Sequence, residues 1–520
     1  MHGHRTASLA SSQESSPRRI DEKVLSDLES DGSTIEIDKT FSPSAWVKIV
    51  KKSLACLGSL SSRVLLTRLL VFFLPSFLQG RYSRERSRPI KLHPTAYLDG
   101  MRGLGALFVF FCHYSYQGFF IAESFGCGDR NWAWLKLPII RLFYQGPAAV
   151  CIFFVISGYA LSYRPLRLIR SGATIELSEA LSSLVFRRAV RLFLPPIIST
   201  FMVLCFIRIG AYEWTREFAT DTRFMKNIVE PHPRRFDDPK EQFLDWVWSL
   251  YCFIHVFAWD PDAGRIKYDV HLWTVPVEYL CSLYLFLVLM ATARLGARCR
   301  LAVVALIALF TYRSSRWEFL LFLAGMFIAE LDLISGVHVP STHGRVPAAS
   351  TKWRVCPNRS CTAFLWILLS IIALYLLSQP DANGHMTPGW VYLCSLVPQW
   401  WSVEGYRYWQ SIGAVFFVFI VGHSRAWQKL FTSNIVQYFG KISYAIYLMH
   451  GPAMHVLGYH FEKWAYSITG VDGYWFNAGF VLHACFCIPI VIWWADIFWR
   501  AVDIPTVKFA KWFEKRCLKD

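Results

Sequence analysis

Residues 95–120 read TAYLDGMRGLGALFVFFCHYSYQGFF. From Ala96 onward the run is long and apolar enough for a helix that crosses hydrocarbon, which needs about 20 residues. It nevertheless carries Asp99, Arg102 and His113, and ionisable groups inside a span are costly and mark function by default. Arg102 and His113 lie eleven positions apart. At about 100° per residue that is three turns plus about 20°, so the two share a helix face, separated by roughly 16 Å along the axis. Asp99 sits one turn below Arg102 and can pair with it. Gly103, Gly105 and Ala106 leave room for another helix or a substrate to approach.

The rest of the chain extends this pattern. Of its 520 residues 54% are hydrophobic, 17% aromatic and only 18% charged, where a soluble domain has about a quarter charged. Apolar blocks of spanning length recur at about 96–120, 146–163, 189–209, 271–293, 300–313, 316–334, 361–378, 409–424, 439–458 and 475–499. They predict an all-α, polytopic membrane protein with about ten transmembrane helices. Two Trp-rich stretches, 244–259 and 389–401, read as interfacial or re-entrant, because Trp prefers the headgroup level. Residues 1–45 are polar and Ser-rich and are expected to form a disordered cytosolic tail. Residues 46–95 read as a cytosolic or interfacial segment in which Leu65–Leu78, flanked by Arg63, Arg68 and Arg81, lies on the membrane. The transmembrane domain covers 96–500, and 501–520 form a basic cytosolic tail. The start has no apolar h-region, so no cleaved signal peptide is expected.

The net charge of +17 would suggest a nucleic-acid partner in a soluble protein. Here the basic residues gather between apolar blocks, as the positive-inside bias requires, and no RNA-binding motif or zinc finger is present. The partner they imply is the lipid bilayer, with both termini in the cytosol of an endomembrane or plasma membrane. The sequon at Asn358 falls on the cytosolic side, where it would stay unmodified. The 14 cysteines are scattered without a CxxC pair, which favours apolar packing over metal binding. Cys127 and Cys252 could pair.

Other ionisable residues stand out. Glu278 lies about two turns inside the fourth block, a depth like that of His113, so the two could form an orienting dyad. Arg188 and Arg191, in FRRAVRLFLPP (186–196), are one turn apart at a helix end; they are either a topology anchor or an anion site, since paired guanidinium forks suit phosphate. Tyr444, Tyr447 and His450 fall near one face of the ninth block. His232 with Asp237, and His255 with Asp260, have an H-x4-D spacing that arises often by chance. There is no GxSxG elbow and no P-loop.

Five of these segments, in order, resemble the acyltransferase 3 family: YLDGMRGLGALFVFFCH (97–113), GPAAVCIFFVISGYALSYR (146–164), FRRAVRLFLPP, HLWTVPVEY (271–279) and YFGKISYAIYLMH (438–450). The resemblance runs from about 96 to 500. It implies about ten helices and transfer of an acyl group, usually acetyl, from acyl-CoA to a hydroxyl of a glycan, lipid or secondary metabolite. It carries over His113 as catalytic base, Arg102 as its companion, and Arg188 and Arg191 as donor-site residues. Acyl-CoA would be a substrate, with no bound cofactor and no metal. The long N-terminal extension and the large 210–270 loop depart from compact members. A base near neutral pH suits a hydroxyl attacking a thioester, and Glu278 could hold the imidazole as a triad carboxylate does. A transporter using the same intramembrane charges, or a non-catalytic receptor on the same fold, are the competing readings.

Overall fold

The computed structural model describes residues 70–79, 92–129, 131–258, 263–336, 359–401 and 404–518. The expected tail 1–45, most of the 46–95 segment, and most of 335–360 with the sequon's Asn358 lie outside these residues. Within them all regular structure is helical. The main helices are α1 (Ala96–Tyr116), α2 (Gly146–Ser171), α3 (Thr174–Arg208), α4 (Pro239–Ile254), α5 (Thr274–Thr292), α6 (Ala297–Arg313), α7 (Trp317–Ser335), α8 (Arg359–Leu377), α9 (Arg407–His423), α10 (Asn434–Ala453), α11 (Tyr459–Thr469), α12 (Gly473–Phe498) and α13 (Ile504–Cys517).

Each of the ten apolar blocks falls on one of these helices. By length and composition, four helical stretches are fit to cross a membrane: Gly146–Ser171, Thr174–Arg208, Val270–Thr292 and Gly473–Cys517. The first block is not among them, since Asp99, Arg102 and His113 lower its mean hydropathy. The Trp-rich 244–259 stretch belongs to α4, whose 16 residues reach only about 24 Å at 1.5 Å per residue, short of the roughly 30 Å of hydrocarbon. Asp238 caps it by accepting from Lys240 N, with Pro239 in the first position, where a missing N–H costs nothing. The 389–401 stretch folds as two single turns, Val391–Ser395 and Gln399–Trp401.

Small residues set two close helix crossings. Gly103 on α1 lies so close to Gly440 on α10 that a methyl group there would overlap the Phe439–Gly440 backbone. Gly158 on α2 and Gly325 on α7 meet in the same way. Backbone-to-backbone approach of this kind is what packs helices where lipid removes the hydrophobic drive.

Inside α3, Pro196 has no N–H to give the Leu192 carbonyl. The Tyr444 hydroxyl of α10 donates to that oxygen at 2.8 Å instead. An interior proline thus becomes a point of attachment between two helices.

The end of the chain is more ordered than a basic tail. A π-turn over Trp499–Asp503 leads into α13, which returns to α3 through the Arg187–Glu514 pair at 3.1 Å. Residues 72–76 close on the same region: Arg500 donates to Phe72 O at 2.7 Å, Trp493 to Phe73 O at 2.7 Å, and Ser76 N to Asp496 at 3.0 Å. The suggested Cys127–Cys252 pairing is not formed. Both are free thiols, and Cys127 contacts the Asn383 carbonyl at 3.8 Å.

Candidate active site

α1 ends at Tyr116, four residues short of its apolar run. His113 therefore sits in the last turn of the helix rather than two turns inside it. Its ring lies 4.2 Å, centre to centre, from His271, and stacks at 5.2 Å and 26° on His450. His271 and His450 are 4.7 Å apart, so three imidazoles from α1, the turn before α5, and α10 meet at one point.

Two carboxylates hold the middle ring. Asp269 lies 2.9 Å from His271 Nδ1 and also accepts from its backbone N–H at 3.1 Å, capping the turn Val270–Trp273. Glu230, from the 210–270 loop, lies 2.9 Å from His271 Nε2. Its second oxygen accepts from Gln117 at 3.0 Å and meets His455 Nε2 at 3.2 Å. Gln117 also donates to the Tyr459 hydroxyl, and Tyr447 donates to the His271 carbonyl at 2.5 Å. His455 belongs to a π-turn over Met454–Gly458, an irregularity often found at functional sites.

Burial alone would raise the Glu230 carboxyl. The charge on His271 and the hydrogen bonds from His271 and His455 outweigh burial and hold it well below the usual carboxylate range.

His450 Nδ1 lies 3.1 Å from the Ile446 carbonyl. That contact fixes its proton on Nδ1 and leaves Nε2 as a buried acceptor with no protein partner; His113 Nδ1 is likewise buried without one. The potential ligand atoms of the three histidines lie within 4.8 Å of one another. The donor set is nonetheless a poor metal site, because both nitrogens of His271 are already engaged by carboxylates.

The expected partnership of Glu278 with His113 is not what the structure shows. Glu278 lies seven residues beyond His271, about 10 Å further along the helix. There it binds Arg188 at 2.7 Å and accepts from Ser157 at 3.1 Å. Arg188 also donates to Ser282 at 3.2 Å and lies within electrostatic reach of Arg191 and Arg102. Arg102 pairs with Asp99 at 3.8 Å, as their spacing suggested, with both side chains about half exposed. The five residues singled out from sequence thus divide: His113 in the histidine cluster, and Arg102, Arg188, Arg191 and Glu278 in an arginine-rich group toward the other end of α1.

His271, Asp269, Glu230, Gln117 and His455 escaped the sequence reading. The D-x-H spacing at 269–271 was a usable signal, since a carboxylate two residues before a helix start can cap it and reach the ring. Nothing local marks Glu230. His232, from the first H-x4-D pair, approaches the Tyr212 carbonyl at 2.9 Å rather than Asp237. Burial and the adjacent His455 push its imidazole down to about 3. Asp260 of the second pair lies outside the described residues.

The description of an acyltransferase domain, acyltransferase 3, matches residues 95–500. The chain belongs to the acyltransferase 3 family. It is similar to the O-acetyltransferase PaAT-1 of Phomopsis amygdali, with 33% identity over 86% of this chain and 88% of that one. Acyltransferase R4 of a Phoma species is 25% identical over 73% of this chain and 86% of that one. Acyltransferase clz18 of Cochliobolus lunatus is 25% identical over 80% of this chain and 94% of that one. No solved structure matches. This acyltransferase 3 protein is therefore a membrane O-acyltransferase. The histidine cluster and the arginine-rich group both fall inside the matched region, while α13 lies beyond it.

Proposed function

We propose that the protein transfers an acetyl group from acetyl-CoA to a hydroxyl of a glycan, lipid or secondary metabolite at the membrane, with His113 as general base. The observation that supports this most is that His113 shares α1 with Arg102, and that Arg102 and Arg191 each lie within electrostatic reach of Arg188. One helix thereby links a proton acceptor to a group of cations that suits the phosphates of coenzyme A. The name of the Phomopsis relative, an O-acetyltransferase, favours acetyl over longer chains.

In this reading the acceptor hydroxyl attacks the thioester carbonyl as His113 takes its proton. The tetrahedral intermediate collapses, the C–S bond breaks, and the proton passes from His113 to the departing thiolate. Arg102 stands toward the donor and can stabilise the developing oxyanion. Glu278 balances the arginines of the donor region. The donor is cytosolic, so the arginine-rich end of α1 faces the cytosol, with ten crossings and both ends of the chain on that side.

Mass spectrometry of glycans, lipids and metabolites with and without the gene tests the activity, with loss of an acetyl increment expected. Unchanged profiles, together with no acetyl-CoA turnover by purified protein on the same extracts, sink the proposal. Glycosylation tags placed in 335–360 test the topology; modification there would invert it.

A further inference from the structure

We propose that Glu230, supplied by the 210–270 loop, is a positioning residue for acyl transfer, holding His271 against the ring of His113. The inference rests on the reading of His113 as the base. It comes from the hydrogen bonds of His271. An ionised carboxylate can only accept. Asp269 and Glu230 each approach one ring nitrogen at 2.9 Å, so each nitrogen carries a hydrogen and His271 is held as an imidazolium. Two carboxylates and one imidazolium leave the cluster with a net charge of −1. The His113 ring lies 4.2 Å from that of His271. The carboxylates behind that ring offset the repulsion between its charge and the imidazolium that His113 becomes on taking the acceptor's proton.

Glu230 is built for this place. The residue is only 6% exposed, though it comes from a loop, and both of its oxygens are used, on His271, Gln117 and His455. Every element packed around it contributes a group that matters to its charge. α1 brings His113 and Gln117; the turn before α5 brings Asp269 and His271. α10 and the π-turn bring His450 and His455, α11 brings Tyr459, and the loop itself brings His232 and Tyr212, whose rings lie against His455. Gln117 and His455 hold the carboxylate from two further elements, so the 210–270 loop completes the base from outside the family's motif segments.

Full-length protein in detergent or nanodiscs, assayed with acetyl-CoA and its acceptor, provides the test. Glu230→Gln keeps the shape and removes the charge. It should lower kcat by about tenfold to a hundredfold, less than loss of the base itself, and leave KM for acetyl-CoA unchanged. It should also move the acidic limb of the kcat/KM–pH profile to lower pH, because His113 loses a neighbouring negative charge. Glu230→Asp should recover part of the rate. If Glu230→Gln does not insert, Asp269→Asn must show the same acid-limb shift. A wild-type rate and profile in Glu230→Gln overturns the inference. His113→Gln, measured in parallel, separates the two readings: inactive His113→Gln beside a normal Glu230→Gln sinks this inference alone, whereas an active His113→Gln sinks the base on which it rests. Activity lost to a chelator and restored by Zn²⁺ also overturns it, because a metal would then occupy the ring nitrogens assigned to the carboxylates.

Discussion

The two ends of α1 handle charge in opposite ways. At the His113 end, the side chains of His271, Glu230 and Asp269 are each under 10% exposed, and their charges meet at 2.9 Å. At the Arg102 end, Arg102 and Asp99 are about half exposed and 3.8 Å apart, and Glu278 beside Arg188 is still partly open. An exposed ion pair contributes about 0–1 kcal/mol, whereas breaking a buried one costs about 3–5 kcal/mol by stranding a charge. The sealed end is therefore a fixed arrangement that tolerates little change. The open end keeps its charges partly in contact with solvent, where an incoming anion can meet them.

The sharpest way to break this contrast is at the sealed end. His113→Gln keeps a polar side chain but cannot carry a proton at neutral pH. It should lower kcat by roughly 10²- to 10⁴-fold, as expected for a positioned base, with insertion and acetyl-CoA binding intact. A purified variant turning over at near wild-type rate would return His113 to a packing role.

At the open end the loss should appear in donor binding. Arg188→Ala or Arg191→Ala should raise KM for acetyl-CoA by the equivalent of about 1–3 kcal/mol per charge-assisted contact, with a smaller change in kcat. Glu278→Gln belongs with them and should also act on KM. If Glu278→Gln instead lowers kcat more than His113→Gln does, the division of labour between the two ends is wrong.

A smaller effect lies outside both regions. Burial raises the Glu462 carboxyl to about 8, next to His483 at 3.9 Å. The unfolded chain releases this proton near 4.5 and the folded protein only near 8, so between those values the folded state holds one proton more. Stability contributed by Glu462 thus falls as pH rises through that window, by up to about 1.4 kcal/mol per pH unit. Glu462→Gln should flatten the decline in thermal stability between pH 5 and 8. An unchanged slope would show that the carboxyl titrates normally.

Much of the fold was readable because long apolar runs leave a chain few options, and each of the ten blocks became a helix. That Arg102 and His113 sit on one helix was legible from the apolar run around them. The misplacement of Glu278 came from a helix end: α1 stops at Tyr116, not Phe120, which moves His113 about one turn relative to its neighbours. Glu230 was beyond reach for a different reason. Its partners Gln117, His271 and His455 come from other parts of the chain, and the surrounding VEPHPRR (229–235) carries no period that points inward. The order in 501–518 was hidden because a basic helix held by tertiary contacts has the same composition as a solvated tail.

That last segment bears on how the protein can be trimmed. The family match stops at residue 500, a natural place to cut for expression. A chain ending there would keep all five family-like segments, the histidine cluster and the arginine-rich group. It would lose Glu514 from Arg187 and the stacking of Phe513 on Phe186, two residues before Arg188. The stump would also begin to fray at Arg500, the residue that grips Phe72 and Leu74. Shortening by homology would thus loosen the helix that carries the proposed donor arginines, and detergent extraction would expose that defect before any activity assay did.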